Sequence, residues 1–229
     1  MKPSISAIVV VRDGALCLGR ALASIVEQTM PPGEIVVVDG GSTDGTESVA
    51  RSFAGVRFMR QRGVGLAAAR NTGIAAAQGE VVAFLDHDDS WMREKLAVQM
   101  PLLDSLPAPA YAIARLELVL EAGAAPPAGY PVERLNVPRL ARTPGVLVAH
   151  KALFERVGGF DETLAAGCDM DWFVRAAERG VPCAVADQVL LLKHVHDRNL
   201  SGDTARNRQE AFAVVARSLR RRAPRDKGR

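Results

Sequence analysis

The sequence predicts an α/β fold, a mostly parallel sheet flanked by helices, on three observations. Four short apolar runs, at residues 5–11, 34–39, 56–60 and 80–86, lack the alternation of half-exposed strands; such runs mark strands buried on both faces. Each is followed by a stretch of helical spacing or composition. Carboxylates close the second and fourth runs, at Asp39 and Asp86, and open α/β sheets bind their ligands outside those strand ends.

The elements follow in order. ISAIVVV (5–11) is the first strand. Residues 15–28 carry a helical stripe at Leu18, Leu22, Ile25 and Val26, broken by Pro31, Pro32 and Gly33. EIVVVD (34–39) is the second strand and residues 44–53 a short helix, with Asp44 as N-cap and Glu47 three residues on as its capping-box partner. VRFMR (56–60), an Ala-rich helix over 65–78 and EVVAFLD (80–86) continue the pattern. Residues 90–106 predict a helix that Asp89 or Ser90 caps and Pro101 limits. This is one doubly wound half. Beyond it lie a strand at 111–120, a Pro- and Gly-rich surface loop at 123–145, a strand at 146–149 and a helix at 150–157. A helix at 171–180, one or two strands within 184–196, and a final helix to about Arg222 capped by Ser201 or Asp203 complete the chain. Neither side of the loop looks complete alone. The expectation is therefore one domain over 1–229, with a ligand-binding half at 1–104, a second half at 105–200 and a terminal helix and tail at 201–229.

Bulk properties narrow the function. The 229 residues suit one domain, and no segment approaches the roughly 20 apolar residues of a membrane span. The first run is too short for a signal peptide and ends at Arg12-Asp13. Three scattered cysteines without a CxxC pair indicate neither a disulfide framework nor a zinc site, and point to a cytoplasmic setting. Net charge is +3, yet residues 217–229 hold seven basic residues against Asp226. That tail reads as a solvated helix end or as a peripheral contact with an anionic inner-membrane surface. The mildly acidic body, without interleaved aromatics, argues against nucleic acid as partner.

Three clusters fall at strand ends: Arg12-Asp13-Gly14, the run from Asp39 to Gly45, and Asp86-His87-Asp88-Asp89. Asp39 ends a buried strand and suits a ribose hydroxyl or base N–H, with Gly40 and Gly41 allowing close backbone approach. A dinucleotide-binding unit would need G-x-G-x-x-G after strand one; RDGALCLGR lacks it, and GVGLAA (63–68) lies elsewhere. Asp86 and Asp88, with His87 as spacer, repel each other unless a cation or donor intervenes. Oxygen ligands in small number suit Mg2+ or Mn2+ held jointly with substrate phosphates. The bland alternative is a solvated acidic turn.

Taken together, ISAIVVV, EIVVVDGGSTDGTESVA, GLAAARNTGIAAAQGEVVAFLDHDD and VGGFDETLAAGCDMDWFVRAAERG resemble glycosyltransferase family 2, over residues 4–104 and 145–200. The resemblance implies a GT-A fold and inverting sugar transfer from a nucleotide-diphosphate sugar, most commonly a UDP-sugar. It implies Asp39 as nucleoside contact and Arg70 as basic contact near base or phosphates. Asp86-His87-Asp88 is similar to the D-x-D signature, with Asp88 the direct metal ligand and Asp86 nearer the ribose. Asp169 matches the second acid of the family's Glu-Asp motif, its general base, with Asp171 as alternative. His196 resembles a C-terminal histidine of the metal or diphosphate site, and His194 shares its strand face. Two departures stand out. Arg12 occupies a strand end where the family often has Pro-x-Tyr-Asn, and an arginine there can stack on the base. Cys168 replaces the Glu before the expected base. The Gln-x-x-Arg-Trp signature is missing, which argues for a non-processive, hexosyltransferase-like enzyme. A non-catalytic nucleotide-sugar-binding protein on the same fold, or a nucleotidyltransferase, are the other readings. The acceptor is not legible.

Overall fold

The computed structural model describes residues 4–121, 123–126, 131–165, 167–196 and 204–222, with side chains of the last segment described over 209–221. The cap expected at Ser201 or Asp203 and the tail beyond Arg222 lie outside these residues.

The first four predicted strands form as expected: β1 (Ile5–Val11), β2 (Glu34–Asp39), β3 (Val56–Arg60) and β4 (Val81–Asp86). They run parallel in the order β3-β2-β1-β4. Between them lie α1 (Leu18–Val26), α2 (Thr46–Arg51) and α3 (Leu66–Ala76). All seven residues of β1 are buried, because helices cover both faces of the parallel sheet. Gly73 lets α3 lie close on it: a Cβ there would collide with Ile8 Cγ2.

After β4 the chain departs from expectation. Residues 90–106 do not form one helix. Ser90–Trp91 is a short strand, β5, and α4 spans Lys95–Asp104. The Trp91 N–H donates to Ser24 Oγ (3.1 Å) and its indole N–H to the Phe84 carbonyl (3.3 Å). These bonds to α1 and β4, with pairing to a distant strand, outcompete helix initiation. Pro101 sits inside α4 rather than ending it; it forfeits one intrahelical bond in the last turns, where buried Met100 and Leu103 hold the helix down. Lys95 is fully buried, its ammonium 5.3 Å from the Trp91 ring centroid and donating to Gln99 Oε1. Gln99 Nε2 in turn donates to the carbonyls of Ala112 (3.2 Å) and Val146 (2.9 Å). Burial pushes Lys95 down to about 7.

The second half adds β6 (Tyr111–Leu120), β7 (Arg139–Leu140), β8 (Val148–His150), α5 (Leu153–Arg156), α6 (Cys168–Glu178), β9 (Cys183–Val195) and α7 (Thr204–Arg222). The sheet continues β4-β8-β6-β9-β5, with β7 beside β6. Here the pairing is mixed: β8 is antiparallel to both neighbours, β9 parallel to β6, and β5 antiparallel to β9. The Pro- and Gly-rich loop is partly ordered by β7, which pairs Leu140 and Arg139 with Arg115 and Leu116. Helix α6 starts three residues earlier than expected, so Asp169 and Asp171 both lie in its first turn. An aromatic cluster joins the halves: Phe84 packs edge-on to Phe154 and Phe160, and Phe154 stacks on Trp172 at 4.9 Å.

Candidate active site

The reversal of strand order lies between β1 and β4, and the predicted clusters gather at that crevice. Asp39 pairs with Val11, and Asp86 with Val10. The two acids therefore end strands two apart, about 10 Å between backbones.

On the β2 side, Asp39 is fully buried and its carboxylate is well supplied. It accepts from the N–H groups of Gly41 (3.2 Å) and Ser42 (3.1 Å), from Ser42 Oγ, and pairs with Arg60 at 2.6 Å. Gly41 has φ +89°, the left-handed region that glycine adopts without penalty, and this turns the chain back over the carboxylate. Loops after β1 and β2 are clasped by reciprocal bonds. Thr43 N–H donates to Asp13 Oδ1 (2.8 Å), Asp13 N–H to Ser42 Oγ (2.8 Å) and Ala15 N–H to Asp44 Oδ2 (3.1 Å). The capping box does not form. Asp44 accepts from Thr46 N–H (3.0 Å) and reaches across to Ala15, while Glu47 pairs with Arg51 and Arg60. Arg12 is exposed, and its side chain begins beside Gly40.

At the centre stands Arg70, which α3 presents with only 1% of its side chain exposed. Its guanidinium donates to Asp86 Oδ1 (3.0 Å) and to Asp169 Oδ1, lies 5.5 Å from the Phe160 centroid, and touches Cys168 Sγ at 3.7 Å. One arginine thus bridges an acid from the first half to one from the second. Burial is the largest influence on both carboxyls and raises each. For Asp86 the charges of Arg70 and Lys193 outweigh it and bring the group below its ordinary value. For Asp169 burial prevails over Arg70, and the group sits above its ordinary value. Cys168 is buried beneath this pair, and burial pushes its thiol up to about 12, so it stays a neutral donor to Asp169 at 3.4 Å.

The two acids of α6 diverge, as their angular separation on a helix requires. Asp169 faces Arg70. Asp171 is buried against Arg175 (2.6 Å) and within 3.8 Å of Arg221, away from the cluster.

The β4 loop is the most charged part. Asp88 Oδ2 lies 3.3 Å from His196 Nε2, while His194 Nε2 meets Ser90 Oγ at 3.0 Å. Asp89 caps no helix. It is buried, accepts from Lys193 Nζ (2.9 Å) and His194 N–H (3.2 Å), and burial, opposed by Lys193, pushes it up to about 7. Lys193 also stands 3.9 Å from Asp86. His87 is more than a spacer: a Cβ on Gly14 would collide with its ring, so it seals the β4 loop against the β1 loop.

Among the described residues no three His, Cys, Asp or Glu side chains converge on one metal position. Asp88 and His196 do converge. Their 3.3 Å separation is close to the roughly 3 Å expected between adjacent ligands of an octahedral ion bound at about 2.1 Å. Asp86, the third expected ligand, is turned to Arg70 and Lys193. The donor set fits an ion held by two side chains and completed by phosphate oxygens and water. Sequence reasoning missed Arg60, Lys193, Phe160 and Arg20, whose guanidinium donates to the Asp88 carbonyl (2.8 Å) and pairs with Glu121 (2.6 Å). Each is a lone residue whose partner belongs to a different element, so no local pattern marks it.

The model of the family described as glycosyl transferase family 2 matches residues 6–118. An uncharacterized glycosyltransferase of Rickettsia typhi is 30% identical over 227 residues, covering 93% of this chain and 70% of the relative. One from Rickettsia felis is 30% identical over 223 residues, covering 91% of this chain and 37% of the relative. The chain spans little more than a third of the Rickettsia felis and Rickettsia conorii relatives. Among solved structures, a mannosyltransferase of Pyrobaculum calidifontis in complex with GDP-Man and Mn2+ superposes with TM-score 0.71 at 27% identity, covering 96% of this chain and 65% of that one. S. aureus TarS 1-349 in complex with UDP-GlcNAc gives 0.71 at 19% identity, covering 91% and 66%, a likeness of fold.

Proposed function

The chain belongs to glycosyl transferase family 2, and on that premise we propose that it transfers one hexosyl unit per encounter from a nucleotide-diphosphate sugar to an acceptor hydroxyl, with inversion. The observation that carries this reading is the Arg70 bridge. It brings Asp169, an acid whose proton affinity is raised, to the edge where the nucleotide-side acids end. The reading takes the whole chain as one unit, with the nucleotide half ahead of residue 105.

In this reading Asp39, with the Gly40-Gly41 turn, receives the nucleoside, and Arg12 lies over the base. Asp86 takes the ribose, and Arg70 turns part of its charge to the diphosphate. Asp88 and His196 would hold Mn2+ or Mg2+, which supplies positive charge for the departing diphosphate. Asp169 accepts the acceptor proton as its oxygen attacks the anomeric carbon; a base with raised proton affinity is suited to that task. UDP-sugars are the first donors to assay, and GDP-mannose the second.

Asp169→Asn tests the assignment. Transfer is expected to fall by about 10²–10⁴-fold, the usual contribution of a general base, with donor binding by calorimetry unchanged. Transfer at the parent rate would sink the base assignment. The competing reading is a nucleotide-sugar-binding protein, favoured by the ion pair that engages Asp169 with Arg70. It predicts donor binding without release of nucleotide diphosphate in the parent chain.

A further inference from the structure

Helix α7 is built the wrong way round for a helix packed on a core. Such helices turn apolar residues inward and polar ones to solvent. Here the inward contacts are largely polar: Glu210 accepts from the Gly167 N–H, Arg217 pairs with Asp161 (2.6 Å), Ser218 donates to Glu178, and Arg221 also pairs with Glu178 (2.7 Å). Among the described residues of α7, only Val214 is a fully buried apolar member. Outward stand Phe212, Val215 and Leu219, 75%, 45% and 63% exposed. Their spacing of three and four residues puts them in one stripe.

The sequence that carries and follows that stripe is basic. Arg217 and Arg221 are engaged by acids of the body, but the sequence adds Arg220, Arg222, Arg225, Lys227 and Arg229 against Asp226 alone. Arg220 is exposed on the helix. We propose that the outward face of α7 docks on an anionic membrane surface, inserting Phe212, Val215 and Leu219 below the headgroups while the arginines meet lipid phosphates. The stripe from Phe212 to Leu219 is about 10 Å long. On a helix roughly 10 Å across it offers an area on the order of 100 Å², far short of the roughly 800 Å² per partner of a stable protein interface. In-plane binding to lipid has no such threshold, since apolar insertion and basic charge add. Membrane attachment by this face leaves the chemistry proposed above unaffected, so the two stand or fall separately.

Co-sedimentation with vesicles tests it. The parent chain should pellet with vesicles of phosphatidylglycerol and phosphatidylcholine but not with phosphatidylcholine alone. Phe212→Ser with Leu219→Ser should lower partitioning at least ~10-fold, and Arg220→Glu should lower it less, while donor turnover in solution is unchanged. Failure of the parent to pellet would overturn the proposal. So would equal pelleting of parent and double variant, which would leave charge alone as the cause. A dimer in sedimentation velocity that the double variant abolishes would also overturn it, making a second copy the occupant.

Discussion

The two halves of the sheet are built by different rules. From β3 to β4 every strand is parallel and in unbroken register. From β8 to β5 the pairing is mixed, and β9 shifts register against β6 twice near Arg115. The first half presents acids at the ends of rigid strands. The first half also supplies Arg60 and Arg70, which pair with Asp39 and Asp86; the second adds Lys193 and His194 from β9 and His196 just beyond it at the β4 loop, and sets Phe160 and Asp169 against Arg70. Register shifts re-aim a strand, and the residues that meet the β4 loop follow those shifts.

The sharpest way to break this division is at its seam. Arg70→Met leaves Asp86 and Asp169, both partly buried, without their shared cation. A loss of up to about 3–5 kcal/mol, the range for a fully buried pair, is expected, read from the denaturation midpoint, with amide exchange rising first in α6 and last in β1. Uniform destabilisation without that order would mean the halves do not differ. Within the first half, Gly73→Val places atoms against Ile8 and Val38, which already crowd the position of the new Cβ. Overpacking there should cost about 1–3 kcal/mol, with the α6 amides opening no earlier than the sheet.

A third effect, read from the pH dependence of stability, concerns Lys95, which α4 buries beneath the second half. Its folded value of about 7 lies below that of the unfolded chain, so between pH 7 and about 10 the unfolded state binds more protons. Stability then rises with pH across that window by up to about 1.4 kcal/mol per unit. Lys95→Met should remove this slope. An unchanged slope in the variant would assign the titration elsewhere.

The first half was readable because burial on both faces leaves a local record. The unbroken apolar stretch from Val81 to Leu85 announces a buried strand without reference to any partner. The acids at Asp39, Asp86 and Asp88 were readable from their place after such runs. What escaped was whatever depends on a partner far along the chain. Ser90-Trp91 looks like the start of a helix, and only Leu191 and Leu192 make it a strand. Lys193 is a lone lysine in an apolar strand until Asp89 is brought to it. Asp169 and Asp171 were close candidates by type, and packing against Arg70 or Arg175 separates them.

The pairing of β5 with β9 also sets an order of events. It closes a loop of about a hundred residues, and loop closure of that span comes late, after local strands and helices have formed. A chain emerging during synthesis therefore completes β1 to β4 well before β9 exists. Until then the acids of the β4 loop lack Lys193 and the histidines, so the cluster at the strand ends is assembled only once the chain has extended past His196.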